Sequence, residues 1–288
     1  MTDKIWTTID LIKWGEDYFV SKGISNAKLE VEWFLCYILN CQRIDLYVQF
    51  EEPLMKDKLF QFKEMVKRRI EGEPFQHILG KADFYGRDFI VNKHVLIPRP
   101  ETEIIIELLK KRDGVKSILE IGTGSGCIAT TISLENLATS IIATDISKDA
   151  LNTAKENASQ LSAENIDFKI HDFLNTDINS TFDVVVSNPP YIGSDEMDGL
   201  QKEVQNYDPK IALTDNGDGL SFYRRFAEFG HSLLNKNGFM LLEFGGVHQV
   251  KAITEIFESQ QFNVKFHNDL QGDPRIVEMN LLTQEIFN

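Results

Sequence analysis

Asn188, Pro189, Pro190 and Tyr191 follow directly on the apolar run 182–186, and their types define a chemistry before any fold is considered. Asn188 carries a side-chain carbonyl, and each proline leaves its own backbone carbonyl free, so one stiff corner can present two acceptors to a planar –NH2 group. Tyr191 can stack on that plane. The prolines lack N–H groups and fix φ, and the first also holds Asn188 extended, so a strand must stop here. Pro-Pro alone would equally support an ordinary strand-ending turn, and the rest of the chain has to separate the two readings.

The elements behind this corner are those of an open α/β sheet. Residues 182–186 are short, β-branched and bounded by breakers, which predicts a buried parallel strand whose carboxyl end lies where such sheets bind ligands. A strand predicted over 117–121 turns through Gly122-Thr123-Gly124-Ser125-Gly126 into a helix beginning near Cys127. Glycines admit a ligand close to the backbone, and a helix N-terminus attracts an anion. The strand over 140–144 ends in Asp145, 19 residues beyond Gly126, an acid placed to accept from ribose hydroxyls. The strand over 166–170 ends in His171-Asp172-Phe173, where Asp172 can take an adenine amino group and Phe173 can stack on the base. Each acid alone would be a solvated loop residue; at successive strand ends they describe a nucleotide-type site. A dinucleotide fold competes, but the third glycine of its G-x-G-x-x-G turn would fall where Cys127 stands.

Further strands over 239–244, 262–266 and 276–282 bring the count to seven, with helices over 221–234 and around 250–257, the alternation of a doubly wound sheet. The turn-rich segment 192–220 contains Tyr207-Asp208-Pro209 and Asn216-Gly217-Asp218-Gly219 and has the length of a lid or binding element. Upstream, 1–75 reads as a small helical bundle. Thr7 or Thr8 caps a helix carrying Ile9, Ile12, Phe19 and Val20, and Ser25 caps one carrying Leu29, Val31, Phe34, Leu35 and Ile38. A third, after Pro53, carries Leu59, Phe62, Met65, Val66 and Ile70 and closes on Lys67-Arg68-Arg69, cations suited to a helix C-terminus. With no catalytic constellation of its own, the bundle fits a partner-docking module. Residues 84–91 with 95–97 predict a β-hairpin linker over 76–100, and Pro100 starts a helix, capped by Thr102 or Glu101, that opens the domain 101–288.

Composition narrows the class. At 288 residues and 42% hydrophobic, the chain can build one large and one small domain. Its net charge of −14 disfavours a protein held mainly by nucleic-acid phosphate. Residues 1–80 hold 11 basic and 13 acidic side chains against 19 and 31 beyond, so the acidity lies in the second part. Cys36, Cys41 and Cys127 lack metal spacing and suit a reducing cytosol, with Cys36 and Cys41 expected within helices. The six histidines are scattered, so no metal site is expected. Neither a signal-peptide pattern nor an apolar stretch of ~20 residues is present, which predicts a soluble cytoplasmic protein without membrane contact. No internal repeat or low-complexity tract occurs.

Nearly end to end, the chain resembles the release-factor glutamine methyltransferase family. The resemblance rests on Gly72-Glu73-Pro74 with Leu79-Gly80, Ile97-Pro98-Arg99-Pro100-Glu101-Thr102-Glu103, the glycine turn 122–126, residues 187–192, Gly219-Leu220 with Tyr223-Arg224, Leu242-Glu243, and Asp269-Leu270 with Arg275. It implies a Rossmann-like, S-adenosyl-L-methionine-dependent methyltransferase domain preceded by a helical bundle and hairpin. It further implies methylation of the side-chain amide of the glutamine in the Gly-Gly-Gln motif of peptide chain release factors. By that resemblance Gly122, Thr123, Gly124, Ser125, Gly126, Asp145, Asp172, Phe173 and Asn188 would hold the cofactor. Asn188, Pro189, Pro190 and Tyr191 would hold the substrate amide, with Asn188, Pro189 and Tyr191 at the chemistry. Phe173 stands where some relatives have tryptophan, and Asp208 where relatives often have glutamate.

Rival readings use the same residues. Enzymes methylating adenine or guanine amines in DNA or RNA can share the Asn-Pro-Pro-Tyr tip, but the acidic catalytic part lacks a basic, aromatic-studded segment. Methylation of another Gly-Gly-Gln-like protein, or a non-enzymatic module that binds cofactor and docks release factors, would use the same motifs. The first is separated by the acceptor that is labelled, the second by turnover.

Overall fold

The computed structural model describes residues 5–48 and 51–282. Met1–Gly80 and Lys81–Asn288 form separate compact units.

The first unit is helical because its apolar residues recur at helical spacing around one core. Its helices are α1 (Thr8–Ser21), α2 (Ala27–Leu39), α3 (Asp45–Val48), α4 (Lys56–Ile70) and α5 (Phe75–Leu79). Thr7 caps α1 through a reciprocal capping box with Asp10, which satisfies backbone donors that the first turn leaves free. Leu11, Phe19, Val31, Phe34, Leu35, Phe62 and Val66 fill the core. Three expectations fail here. Val20 and Leu29 are exposed at 62% and 40%, and α2 begins after Asn26 without a side-chain cap, so Ser25 does not serve. Cys41 lies beyond the end of α2, which stops at Asn40 in a left-handed conformation. Glu32, in the middle of α2, is buried and held by Arg43 and the Tyr47 hydroxyl, a polar contact that apolar periodicity does not reveal.

The second unit opens on a hairpin, β1 (Lys81–Phe84) and β2 (Arg87–Ile90), turned by Tyr85 and Gly86, both at positive φ as a two-residue turn between twisted strands requires. Residues 95–97 are not a strand. Val95 and Ile97 are instead buried in irregular chain against Ala82, Val91 and Ala150, so burial rather than pairing explains their apolar character.

Next come α6 (Glu103–Leu109), β3 (Ser117–Ile121), α7 (Cys127–Leu134), β4 (Ser140–Asp145), α8 (Lys148–Gln160), β5 (Ile166–Ile170) and β6 (Phe182–Ser187). After β6 the chain forms two short helices, α9 (Lys202–Tyr207) and α10 (Lys210–Leu213), before α11 (Ser221–Leu233), β7 (Leu234–Glu243), α12 (Val250–Glu258), β8 (Phe262–Asn268) and β9 (Pro274–Leu281). The seven-stranded sheet runs β5-β4-β3-β6-β7-β9-β8, parallel except for β9, which inserts antiparallel between β7 and β8. Side chains alternate across the strands, so Ile118, Val184, Val186 and Leu241 pack under α6 and α7 while Leu119, Val185, Met240 and Leu242 pack under α11 and α12. The strand order reverses between β3 and β6. Their connections leave in opposite directions there and open a crevice at the carboxyl ends.

Candidate active site

The crevice is built from the residues that end β3, β4, β5 and β6. Ser187 Oγ donates to the Ile121 carbonyl at 2.7 Å, clamping the ends of β6 and β3 so that Asn188 and Gly122 leave the sheet side by side. Thr123 N–H donates to the Thr144 carbonyl and Gly124 N–H to Asp145 Oδ2, both at 2.9 Å, which fixes the glycine turn against the end of β4. Gly126 has φ +78°, and a Cβ there would lie 2.9 Å from the Ala154 Cβ, so only glycine lets α7 start this close to α8. Asn157 of α8 supports the turn from behind, donating to the Ser125 carbonyl at 2.8 Å while accepting from Ile90 N–H.

These elements enclose a cavity of about 290 Å³. Gly122, Thr123, Gly124, Ser125, Asp145, Asp172, Phe173, Asn188, Pro189 and Pro190 all line it, so the strand-end residues named from the sequence converge on one space. Gly126 and Tyr191 do not. Gly126 acts through helix packing, and Tyr191 sits against Gly245, its backbone carbonyl accepting from Gln249 Nε2 at 2.8 Å. Burial holds the Tyr191 hydroxyl well above its usual titration range. Phe173 is 5% exposed and packs on Phe226 and Phe222, with ring centroids 4.5 and 6.4 Å apart.

Other lining residues escaped sequence reasoning. Ile211, Ala212, Thr214 and Asp215 come from the segment after β6, which is pinned at Ile192 by the Leu213 carbonyl, and Asn216 of the turn named in that segment lines the cavity beside them. The length of that segment was the only signal for them. Thr102, expected with Glu101 as one of two possible caps of α6, makes no capping bond because its hydroxyl donates to Glu243. Glu120, two residues before the glycine turn, is fully buried near the end of β3 and also lines the cavity. Its Oε2 accepts from the Thr123 hydroxyl and Ala129 N–H, while Oε1 is buried without a hydrogen-bond partner. Desolvation, only partly opposed by those two donors, raises its pKa to about 8. Asp145, accepting from Gly124 and Ser147, is also raised, chiefly by burial.

Residues 10–80 match the PrmC N-terminal domain and residues 100–237 the methyltransferase small domain. The release factor glutamine methyltransferase of Bacillus subtilis is 39% identical over 283 residues, covering 94% of this chain and 96% of that protein. This chain belongs to the release factor glutamine methyltransferase family. The family's member in Geobacter sulfurreducens is 37% identical over 96% of this chain and 98% of its own. The fold is also that of solved methyltransferases. A Pyrococcus furiosus methyltransferase aligns with TM-score 0.51 at 18% identity, over 78% of this chain and 98% of its own. The hMettl16 catalytic domain, solved with a MAT2A 3′UTR hairpin, aligns with TM-score 0.58 at 14% identity, over 94% of this chain and 92% of its own. Among the described residues no helix is long and apolar enough to cross a membrane.

Proposed function

We propose that this chain transfers the methyl group of S-adenosyl-L-methionine to the side-chain amide nitrogen of the glutamine in the Gly-Gly-Gln motif of peptide chain release factors. The carrying observation is the state of the Asn188-Pro189 corner. Asn188 Nδ2 is spent on Thr102, whereas Asn188 Oδ1 and the Pro189 carbonyl accept no hydrogen bond among the described residues. Two free acceptors on one corner match the two N–H groups of a primary amide.

The donor set fits the cofactor. Glu120 Oε1, buried and unpartnered, is an acceptor for an ammonium group, the glycine turn and the start of α7 suit a carboxylate, and Asp145 suits ribose hydroxyls. Asp172 and Phe173, which also line the cavity, are left for the adenine. When bound, the cofactor supplies an electrophilic sulfonium methyl group.

An amide nitrogen is a poor nucleophile because its lone pair is delocalised into the carbonyl. Asn188 Oδ1 and the Pro189 carbonyl, gripping both N–H groups, would orient the nitrogen and stabilise the positive charge it gains. Pro189 and Pro190 make the corner stiff, so the acceptors need little reorganisation. Tyr191, packed behind the corner, holds its backbone in place. Catalysis on this reading comes from position and electrostatics, with the proton lost to water afterwards. A release-factor substrate, together with three cysteines free of disulfides, supports a cytoplasmic location.

The deciding experiment is transfer of labelled methyl from S-adenosyl-L-methionine to purified release factor, to the same factor with the motif glutamine replaced, and to DNA and RNA. Label confined to the unaltered factor is expected. Label on nucleic acid alone would keep the fold and overturn the acceptor.

A further inference from the structure

Asn188 is held from behind by two buried side chains from distant parts of the sequence. Its Nδ2 lies 3.3 Å from Thr102 Oγ1, and Thr102 Oγ1 lies 2.5 Å from Glu243 Oε2. Thr102, at the start of α6, and Glu243, the last residue of β7, are each 2% exposed. An ionised carboxylate can only accept, so the Thr102 hydroxyl must donate to Glu243. The threonine oxygen then shows only lone pairs to Asn188, and only an –NH2 group can face it. The carboxamide is thereby fixed with Oδ1 turned away from Thr102.

This choice is not one that packing can make. The two ends of a carboxamide are nearly equal in size, and a reversed Asn188 would fit the same space while presenting donors to the donors of an incoming amide. Hydrogen-bond direction has to decide. We infer that Thr102 and Glu243 are positioning residues for the acceptor site, forming a one-way hydrogen-bond relay that keeps Asn188 Oδ1 toward the nitrogen to be methylated. The inference deepens the proposed amide methylation and rests on it.

The relay has a polarity that protons can reverse. Burial raises the Glu243 pKa, the Thr102 hydroxyl opposes this, Glu101 raises it further, and Arg275 and Arg99 lower it, leaving it at about 7. Cys127 of α7 and Tyr191 beyond β6 also sense its charge, and the Tyr223 hydroxyl of α11 donates to its backbone carbonyl at 2.7 Å. Protonated Glu243 can donate to Thr102, which frees that hydroxyl to donate to Asn188 Oδ1 and turn the amide round. The productive direction therefore holds above the Glu243 pKa and is lost as pH falls through it.

The test compares wild type, Thr102→Val, Thr102→Ser and Glu243→Gln in methyl transfer to a release factor between about pH 6 and pH 9, where the relay titrates. The ¹H–¹⁵N signal of the Asn188 side-chain amide, assigned by its loss in Asn188→Asp, is followed in the free proteins over the same range. Thr102→Val is expected to lower kcat by roughly 10- to 100-fold, with KM and cofactor Kd within about twofold, because only an oriented transition-state contact is lost. Thr102→Ser, which keeps the hydroxyl, should recover most of that loss. Glu243→Gln should flatten the acid limb of the pH profile. In wild type the Asn188 amide signal should titrate with Glu243, and in Glu243→Gln it should not. A wild-type kcat and pH profile in Thr102→Val, or an Asn188 signal blind to pH in the wild type, overturns the relay. If wild type labels no glutamine amide, the acceptor assignment falls, and the Asn188 signal still decides whether the relay exists.

Discussion

Arg99 Nη2 lies 2.7 Å from Asp208 Oδ2, an ion pair that ties the chain just before α6 to the end of α9 in the segment after β6. The arginine side chain is 34% exposed and the aspartate 1%, so the carboxylate depends on its partner far more than the guanidinium does. Burial pushes the Asp208 pKa up and Arg99 pulls it back, while Asp208 Oδ1 is buried without a hydrogen-bond partner. Arg99→Ala would leave that carboxylate without its counter-ion. It should cost about 1–3 kcal/mol, below the cost at a fully buried pair because solvent reaches the arginine. Asp208→Asn, which removes the charge together with the need for a partner, should cost less. Urea unfolding of both variants, with hydrogen exchange followed across 192–220, checks this; equal losses would mean that the segment is held by other contacts.

Asn188 and Asp145 line one cavity but serve different ligands in the proposed mechanism, so their variants should separate. Asn188→Ala removes one of the two free acceptors and should lower kcat by about 10²–10³-fold with cofactor Kd near wild type, the size seen when a pre-aimed polar contact is deleted. Asp145→Ala should do the reverse, raising cofactor Kd. Calorimetric titration with S-adenosyl-L-methionine beside steady-state kinetics distinguishes them. A joint loss in Asn188→Ala would assign that residue to the cofactor, and unchanged binding in Asp145→Ala would remove the ribose assignment.

The strand ends were legible because each carries a local signature: a glycine turn, an acid closing an apolar run, a proline pair. Contacts between distant segments were not. Nothing in the order of residues says that Thr102 gives its hydroxyl to Glu243 instead of capping α6, since a threonine before a helix has the same appearance in both roles. The antiparallel insertion of β9 between β7 and β8 was hidden for a similar reason. Apolar alternation shows which residues face a core but not which edge a strand joins. The lining residues Thr214 and Asp215 were missed because irregular chain has no periodicity to read.

Gly219 makes the closest backbone approach near the site. Its φ is +76°, and a Cβ there would lie 2.3 Å from the Tyr191 carbonyl oxygen and 3.1 Å from Gly193 N. Gly219→Ala must therefore both occupy the left-handed region, at roughly 1–2 kcal/mol, and push the chain away from the Asn188–Tyr191 corner. Lower thermal stability and lower kcat are expected together. Gly199, where a Cβ would meet no atom within 4 Å and φ is not positive, provides the control. Gly199→Ala should melt as wild type, and a similar result for Gly219→Ala would show that the corner yields freely.

Glu120 sets stability of the free protein against binding. Its pKa rises from 4.5 to about 8, so across that window the folded chain binds more protons than the unfolded one. Stability of the ligand-free protein must then fall as pH rises through the window, because the fold has to bury a charge that the unfolded chain keeps in water. Glu120→Gln has no charge to bury. It should melt several degrees above wild type near pH 8.5, at about 2–4 °C per kcal/mol for a domain of this size, and much closer to wild type near pH 5. Binding should move the other way. Thr123 and Ala129 both donate to Oε2, so a glutamine must place its carbonyl oxygen there and its –NH2 where the free Oε1 now lies. A donor would then meet the cofactor's ammonium group, and Kd should rise about tenfold or more. Melting curves with and without S-adenosyl-L-methionine at both pH values test the two halves separately. Coincident melting near pH 8.5 would remove the burial account, and unchanged Kd would remove Glu120 from the cofactor site.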